Sequence, residues 1–173
     1  MLRAAALPPS DAVQVVEVRT LADLGRCDGL IIPGGESTTM LKLLDIEGLT
    51  APLRDFAARK PVYGSCAGAI LLAQNVTHPP QPSLGLLDIT VERNAYGRQM
   101  DSRIAKITLM EGDGMEAVFI RAPIIRRVAP DAAVLARYEG NPVWVEQGRH
   151  MVTTFHPELS ADARVHQRFL RKL

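Results

Sequence analysis

The sequence predicts an α/β fold: a single three-layer domain whose mostly parallel central sheet is flanked by helices. Short apolar runs alternate with helix-like stretches through the first half, the order in which a parallel sheet is built and covered on both faces. Glycine and proline close the strand-like runs, as they do where a chain turns from strand to helix. The 173 residues are 47% hydrophobic and 23% charged, enough apolar material for one core, and no repeat or linker-like tract divides residues 1–173.

In chain order, residues 13–18 (VQVVEV) are rich in β-branched side chains and read as a strand. Residues 29–32 (GLII) form a short buried strand that stops at Pro33-Gly34-Gly35. Residues 39–58 have helical spacing, with interruptions expected at Gly48 and Pro52. A strand from Pro61 to Tyr63 ends at Gly64, and residues 67–73 (AGAILLA) suit a helix. Residues 86–91, 104–109, 117–120, 134–138, 142–147 and 151–155 are further strands. Residues 159–173 close the chain as a helix, with Ser160 as N-cap and Val165, Phe169 and Leu170 facing inward.

Twenty basic residues against nineteen acidic ones leave a formal charge of +1, which argues against a nucleic-acid-binding or membrane-binding surface. No apolar run approaches the roughly 20 residues of a membrane-spanning helix. The opening MLRAAALPPSDA reads as neither signal peptide nor anchor. With Cys27 and Cys66 as the only cysteines there is no disulfide framework, and a cytoplasmic setting is expected.

Gly64-Ser65-Cys66-Ala67-Gly68 has the form G-x-C-x-G between a strand and a helix, the setting of a nucleophile elbow with cysteine in place of serine. Flanking glycines permit the tight turn. The following helix start offers free N–H groups and a partial positive charge that favour a thiolate. The Ala67 amide is then one oxyanion donor. On the pentapeptide alone, a small buried thiol packing a strand–helix corner is an equal reading.

Phe155-His156-Pro157-Glu158 ends an apolar strand far along the chain. Proline disfavours a helical conformation at His156, and in an extended segment residues two apart face the same side. Glu158 is then able to fix the tautomer of His156, an acid–base group suited to neutral pH. Alone, this segment also reads as a solvated turn; the elbow upstream favours the functional reading. His78, His150 and His166 have no acidic residue in a comparable setting. The loop 33–39 (PGGESTT) lacks the phosphate-loop pattern; after a buried strand it is placed to offer a second oxyanion donor from Gly34-Gly35, and in isolation it reads equally as a plain strand-to-helix turn. No Cys-x-x-Cys or His-Glu-x-x-His pattern suggests a metal, and no cofactor is expected.

PGGEST, GSCAG, VERNAYGRQ, VFIRAP and FHPEL, in this order and spacing, resemble the glutaminase subunits of pyridoxal 5′-phosphate synthase, a branch of the class I (triad) glutamine amidotransferases. The resemblance covers about residues 28–173. It implies a flavodoxin-like α/β domain that hydrolyses L-glutamine, with Cys66 as nucleophile, His156 as acid–base and Glu158 as orienter. It further implies glutamine contacts from Gly35, Glu36, Ser37, Arg93, Ile120 and Arg121, and delivery of ammonia to a barrel-shaped synthase subunit in a larger hetero-oligomer. Members of that family open with a strand and loop reading like GVLALQG and then a helix. Within residues 1–20 these elements are shortened or replaced, with residues 2–7 as a substitute strand. The rival readings are a glutaminase of another class I amidotransferase, such as that of histidine biosynthesis, and a non-catalytic partner subunit.

Overall fold

Two central strands, Val62–Ser65 and His150–Thr153, are buried on both faces along almost their whole length. The computed structural model describes residues 13–93 and 102–173. The substitute strand expected at residues 2–7 and residues 94–99 of the ERNAYGRQ motif lie outside them. The chain runs through α1 (Leu21–Gly25), β1 (Leu30–Ile32), α2 (Ser37–Ile46), α3 (Thr50–Ala57), β2 (Val62–Ser65), α4 (Ala67–Leu72) and β3 (Ala73–Thr77). It continues through β4 (Leu87–Glu92), β5 (Ser102–Leu109), β6 (Met115–Ile120), β7 (Ile124–Val128), β8 (Ala133–Tyr138), β9 (Asn141–Gln147), β10 (His150–Thr153) and α5 (Arg164–Leu170). A single 3-10 turn, Pro157–Leu159, links β10 to the last helix.

Seven strands form one sheet in the order β1-β2-β10-β9-β8-β5-β6, and β3-β4-β7 form a second. The α/β class holds. Parallel pairing joins β1 to β2 and β2 to β10, while every pairing from β10 out to β6 is antiparallel. The sheet is therefore mixed: the helical crossovers that parallel strands need occupy the first half of the chain, and hairpins build the rest.

Alternation along β2 and β10 divides the core into two clusters. Val62 and Val152 join Leu53, Phe56, Ala69 and Leu72 on the side of α3 and α4. Tyr63 and Met151 join Phe155, Val165 and Phe169 on the side of α5. Each such fully buried large side chain contributes roughly 1.5–3 kcal/mol from loss of water contact, and together they fix the register that carries β2 and β10 to a common end.

Several elements differ from the sequence expectation for identifiable reasons. Residues 13–18 form no strand: none of them joins either sheet, and Val15 and Val16 are exposed. Gly48 does break the helical stretch, at a φ of +64° just beyond α2. Pro52 does not, because it falls in the first turn of α3, where its missing N–H costs no hydrogen bond. The terminal helix begins at Arg164 rather than near Leu159, and its N-cap is Ala163, not Ser160; the Ser160 Oγ accepts from the Asp162 N–H in the preceding turn. Strands β3 and β7 were not anticipated. In β7, Arg126 and Arg127 interrupt the apolar pattern and pair across the sheet with Glu92 and Asp88. Among the described residues, no helix is long and apolar enough to cross a membrane.

Candidate active site

Cys66 sits between β2 and α4 with φ +51° and ψ −106°, outside the regions a non-glycine residue ordinarily occupies. Such a conformation persists only when its surroundings impose it. Three do so here. The Cys66 N–H donates to the Thr153 carbonyl of β10 at 2.8 Å. A Cβ on Gly64 would lie 2.5 Å from the Gly68 carbonyl carbon, and a Cβ on Gly68 would lie 2.2 Å from the Ile32 carbonyl oxygen. Both glycines of the G-x-C-x-G pattern are thus required by close backbone approach, the first between strand and helix and the second between α4 and the end of β1. The thiol is 7% exposed and points toward the Ile120 carbonyl, with Sγ 3.8 Å from the oxygen. Ala67 is the first residue of α4, so its N–H has no partner within the helix.

His156 and Glu158 do meet, by a different route from the extended segment expected. His156 has φ −104° and ψ 87°, and Pro157 opens the 3-10 turn. The fixed φ of proline suits a first helical position. The turn brings Glu158 back so that His156 Nδ1 and Glu158 Oε1 are 2.7 Å apart. The His156 N–H donates to the Val118 carbonyl of β6 at 2.8 Å, which anchors this segment to the antiparallel half of the sheet.

The imidazole also touches the Pro33-Gly34-Gly35 loop. A Cβ on Gly34 would fall 2.4 Å from His156 Cε1 and within 3.3 Å of both ring nitrogens. Gly34 is small because the ring of His156 occupies the space a side chain would need.

Hydrogen bonding to Cys66 and then to Glu158 raises the pKa of His156 from the ordinary 6.5 to about 10, against the opposing effect of burial. For Glu158, burial is the largest single influence and pushes upward, but the hydrogen bond with His156, a backbone hydrogen bond and the charges of His156 and His166 together outweigh it, and the carboxyl titrates below its ordinary value. Because the folded value of His156 exceeds its unfolded one, its protonation stabilises the fold fully below about pH 6.5, and that contribution is lost as pH rises through about 10. Thermal midpoints of the wild-type protein should therefore fall between pH 7 and 10 by more than those of His156→Gln. Parallel curves would contradict the raised value.

The remaining expected contacts divide. Glu36 is the N-cap of α2; its carboxylate accepts from the N–H groups of Thr38 and Thr39 and from the Thr38 hydroxyl, which lower its pKa to about 2. One of its oxygens lies 3.5 Å from the guanidinium of Arg93, whose side chain is 12% exposed. Glu36 and Arg93 therefore form a pair of opposite charges at the loop. The Ser37 hydroxyl donates its proton to Gln81 Oε1 at 3.0 Å and the residue is buried. Arg121, directly after Ile120, is exposed and has φ +43°.

Sequence reasoning missed Tyr63 and Thr153 and set His166 aside; all three are buried. A threonine pair inside the apolar run MVTTF was the one available signal for Thr153. His150 is the first residue of β10. Its Nδ1 accepts from the Val62 N–H, and burial lowers its pKa to about 4.

Comparison with known proteins gives the family. The model of the SNO glutamine amidotransferase family matches residues 5–173. A pyridoxal 5′-phosphate synthase subunit PdxT of Solibacter usitatus is 57% identical over 168 residues, covering 92% of this chain and 87% of that protein. The protein of the same name in Deinococcus radiodurans is 54% identical, covering 90% and 83%. A crystal structure described as a glutamine amidotransferase superposes with a TM-score of 0.86 at 41% identity, covering 92% of this chain and 86% of that one.

Proposed function

The chain belongs to the SNO glutamine amidotransferase family, and from that premise we propose that it is the glutaminase of a pyridoxal 5′-phosphate synthase, releasing ammonia from L-glutamine through Cys66, His156 and Glu158. The observation that carries the reading is a strained cysteine at a strand–helix junction, coupled to a histidine that a carboxylate holds at 2.7 Å.

The Cys66 thiolate attacks the side-chain carbonyl carbon of glutamine, forming a C–S bond and placing the electron pair on oxygen. The Ala67 N–H and the amides of Gly34 and Gly35 receive that oxyanion. His156, charged at neutral pH, gives its proton to the departing nitrogen as the C–N bond breaks, leaving a thioester. A water, losing its proton to His156, hydrolyses the thioester to glutamate and restores the thiolate. Glu158 holds the imidazole in one orientation and stabilises its charged form throughout.

At the other end of the substrate, glutamine presents an ammonium and a carboxylate. The ionised Glu36 and the Arg93 guanidinium offer the opposite charges, with backbone groups of Gly35, Ser37 and Ile120 and the Arg121 segment completing the site. The names of the relatives support a synthase subunit as the ammonia acceptor, in preference to the enzyme of histidine biosynthesis.

Glutamate release should be measured for the full chain alone and with the synthase subunit, and 6-diazo-5-oxo-norleucine, a glutamine analogue that alkylates an activated nucleophile, should be added to both. Release stimulated by the synthase, with the adduct on the Cys66 peptide, is the expected result. A folded protein that releases no glutamate with the synthase and takes up no label at Cys66 would sink the proposal.

A further inference from the structure

Behind the site, three buried groups tie the nucleophile to the base. Thr153 is fully buried and closes β10. Its carbonyl accepts the Cys66 N–H at 2.8 Å, and its hydroxyl donates to the Phe155 carbonyl at 3.0 Å, one peptide before His156. Its Oγ1 also lies 2.8 Å from the Tyr63 hydroxyl. The threonine hydroxyl has one proton, already given to Phe155, so Tyr63 must be the donor in that contact. Tyr63 is 1% exposed, and burial raises its pKa, so it keeps that proton at any working pH. Its ring in turn packs against His166 and Phe169 of α5, at centroid distances of 6.4 and 5.8 Å.

We propose that Thr153 and Tyr63 are positioning residues that act as a clamp, setting the distance between Cys66 and His156 by holding the elbow and the Phe155-His156 peptide to one threonine. The inference rests on the triad reading given above. Elsewhere the two halves of the site are carried by different parts of the sheet: Cys66 by the parallel strand β2, and His156 through Val118 by the antiparallel strand β6. Thr153 is the residue at which a single side chain and its own carbonyl engage both. Tyr63 supplies the donor that fixes the rotamer of the threonine, and α5 fixes the ring of Tyr63.

Thr153→Val preserves shape and removes the hydroxyl, leaving the Tyr63 O–H and the Phe155 carbonyl without partners. Thr153→Ser retains the hydroxyl. Adding Tyr63→Phe to Thr153→Val removes the orphaned donor, which should restore part of the lost stability without restoring the tether. Each variant should be compared with wild type in glutamine hydrolysis with the synthase subunit present, in thermal midpoint, and in the rate at which iodoacetamide alkylates Cys66 at pH 7, with the Cys27 peptide followed separately.

Thr153→Val is expected to lose about 10-fold in kcat with KM changed less than about 2-fold, and to slow Cys66 alkylation by a similar factor, because small misplacements of a reacting pair are costly. Serine should restore both, and the double variant should regain stability while remaining slow. Unchanged Cys66 alkylation in Thr153→Val would overturn the clamp, as would a double variant whose reactivity recovers along with its stability. Alkylation does not depend on glutamine turnover. A wild-type protein inactive on glutamine would therefore discredit the glutaminase reading while the alkylation ratios still decided the clamp.

Discussion

Cys66→Ala should lower glutamine hydrolysis by at least about 10⁴-fold, the scale on which removing a covalent nucleophile acts, with the fold left in place. Cys66 is held at φ +51° by the hydrogen bond to Thr153 and by the packing of α4 against β1. Alanine must adopt the same conformation and bears the same strain. Glycine does not, since it reaches positive φ without a Cβ penalty. Strain of this kind costs of order 1–3 kcal/mol, while glycine gives back roughly 0.4–1 kcal/mol in chain entropy. Cys66→Gly should therefore melt at or above Cys66→Ala, with both inactive. Initial rates of glutamate release and thermal midpoints of the two variants check both halves. A Cys66→Gly protein clearly less stable than Cys66→Ala would mean that the elbow stores no strain. Residual turnover near wild type in either would remove Cys66 from the mechanism.

That strain lies where the chemistry is proposed, and only part of the arrangement was legible in the sequence. G-x-C-x-G announces a turn too tight for side chains at its first and last positions, and the contacts of Gly64 and Gly68 bear this out. The period of apolar residues located α3 and the central strands, because burial on one or two faces writes itself into composition. The route joining His156 to Glu158 was not legible. An extended segment puts residues two apart on one side, whereas the observed pairing of His156 with Glu158 needs the 3-10 turn that Pro157 opens and the β6 carbonyl of Val118 that holds His156. The start of α5 was misread for a related reason, since Ser160 serves a local turn that competes with a helix cap. Thr153 and Tyr63 were out of reach because neither residue type declares a role alone. Their meaning comes from the parallel register of β2 with β10, which sets Tyr63 opposite Met151 and Ser65 opposite Thr153. The same long-range pairing turned an expected mostly parallel sheet into a mixed one.

Gly34→Ala should reduce kcat by about 10²-fold, the cost of displacing a catalytic group by roughly an ångström, and should lower the thermal midpoint at pH 7 as the favourable protonation of His156 is weakened. Gly34 is not among the glycines with positive φ, so its backbone accepts a side chain. The three nearest atoms to the new methyl carbon all belong to the imidazole, the closest at 2.4 Å. His156 has little freedom to yield: its N–H is bonded to Val118, its Nδ1 to Glu158, and Pro157 restricts the backbone that follows. The ring can move only by weakening its bond to Glu158 or its hydrogen bond to Cys66, and those two interactions are what raise its pKa to about 10. Gly34→Ala should therefore also lower the pH at which His156 loses its proton, readable from the imidazole proton shifts in NMR spectra. Gly25→Ala is the matched control, since a Cβ there meets nothing within 4 Å and the backbone is not left-handed. If Gly34→Ala kept wild-type turnover and an unaltered His156 titration, the loop that carries Gly34 would have no hold on the base, and the requirement for glycine there would have to come from the substrate side.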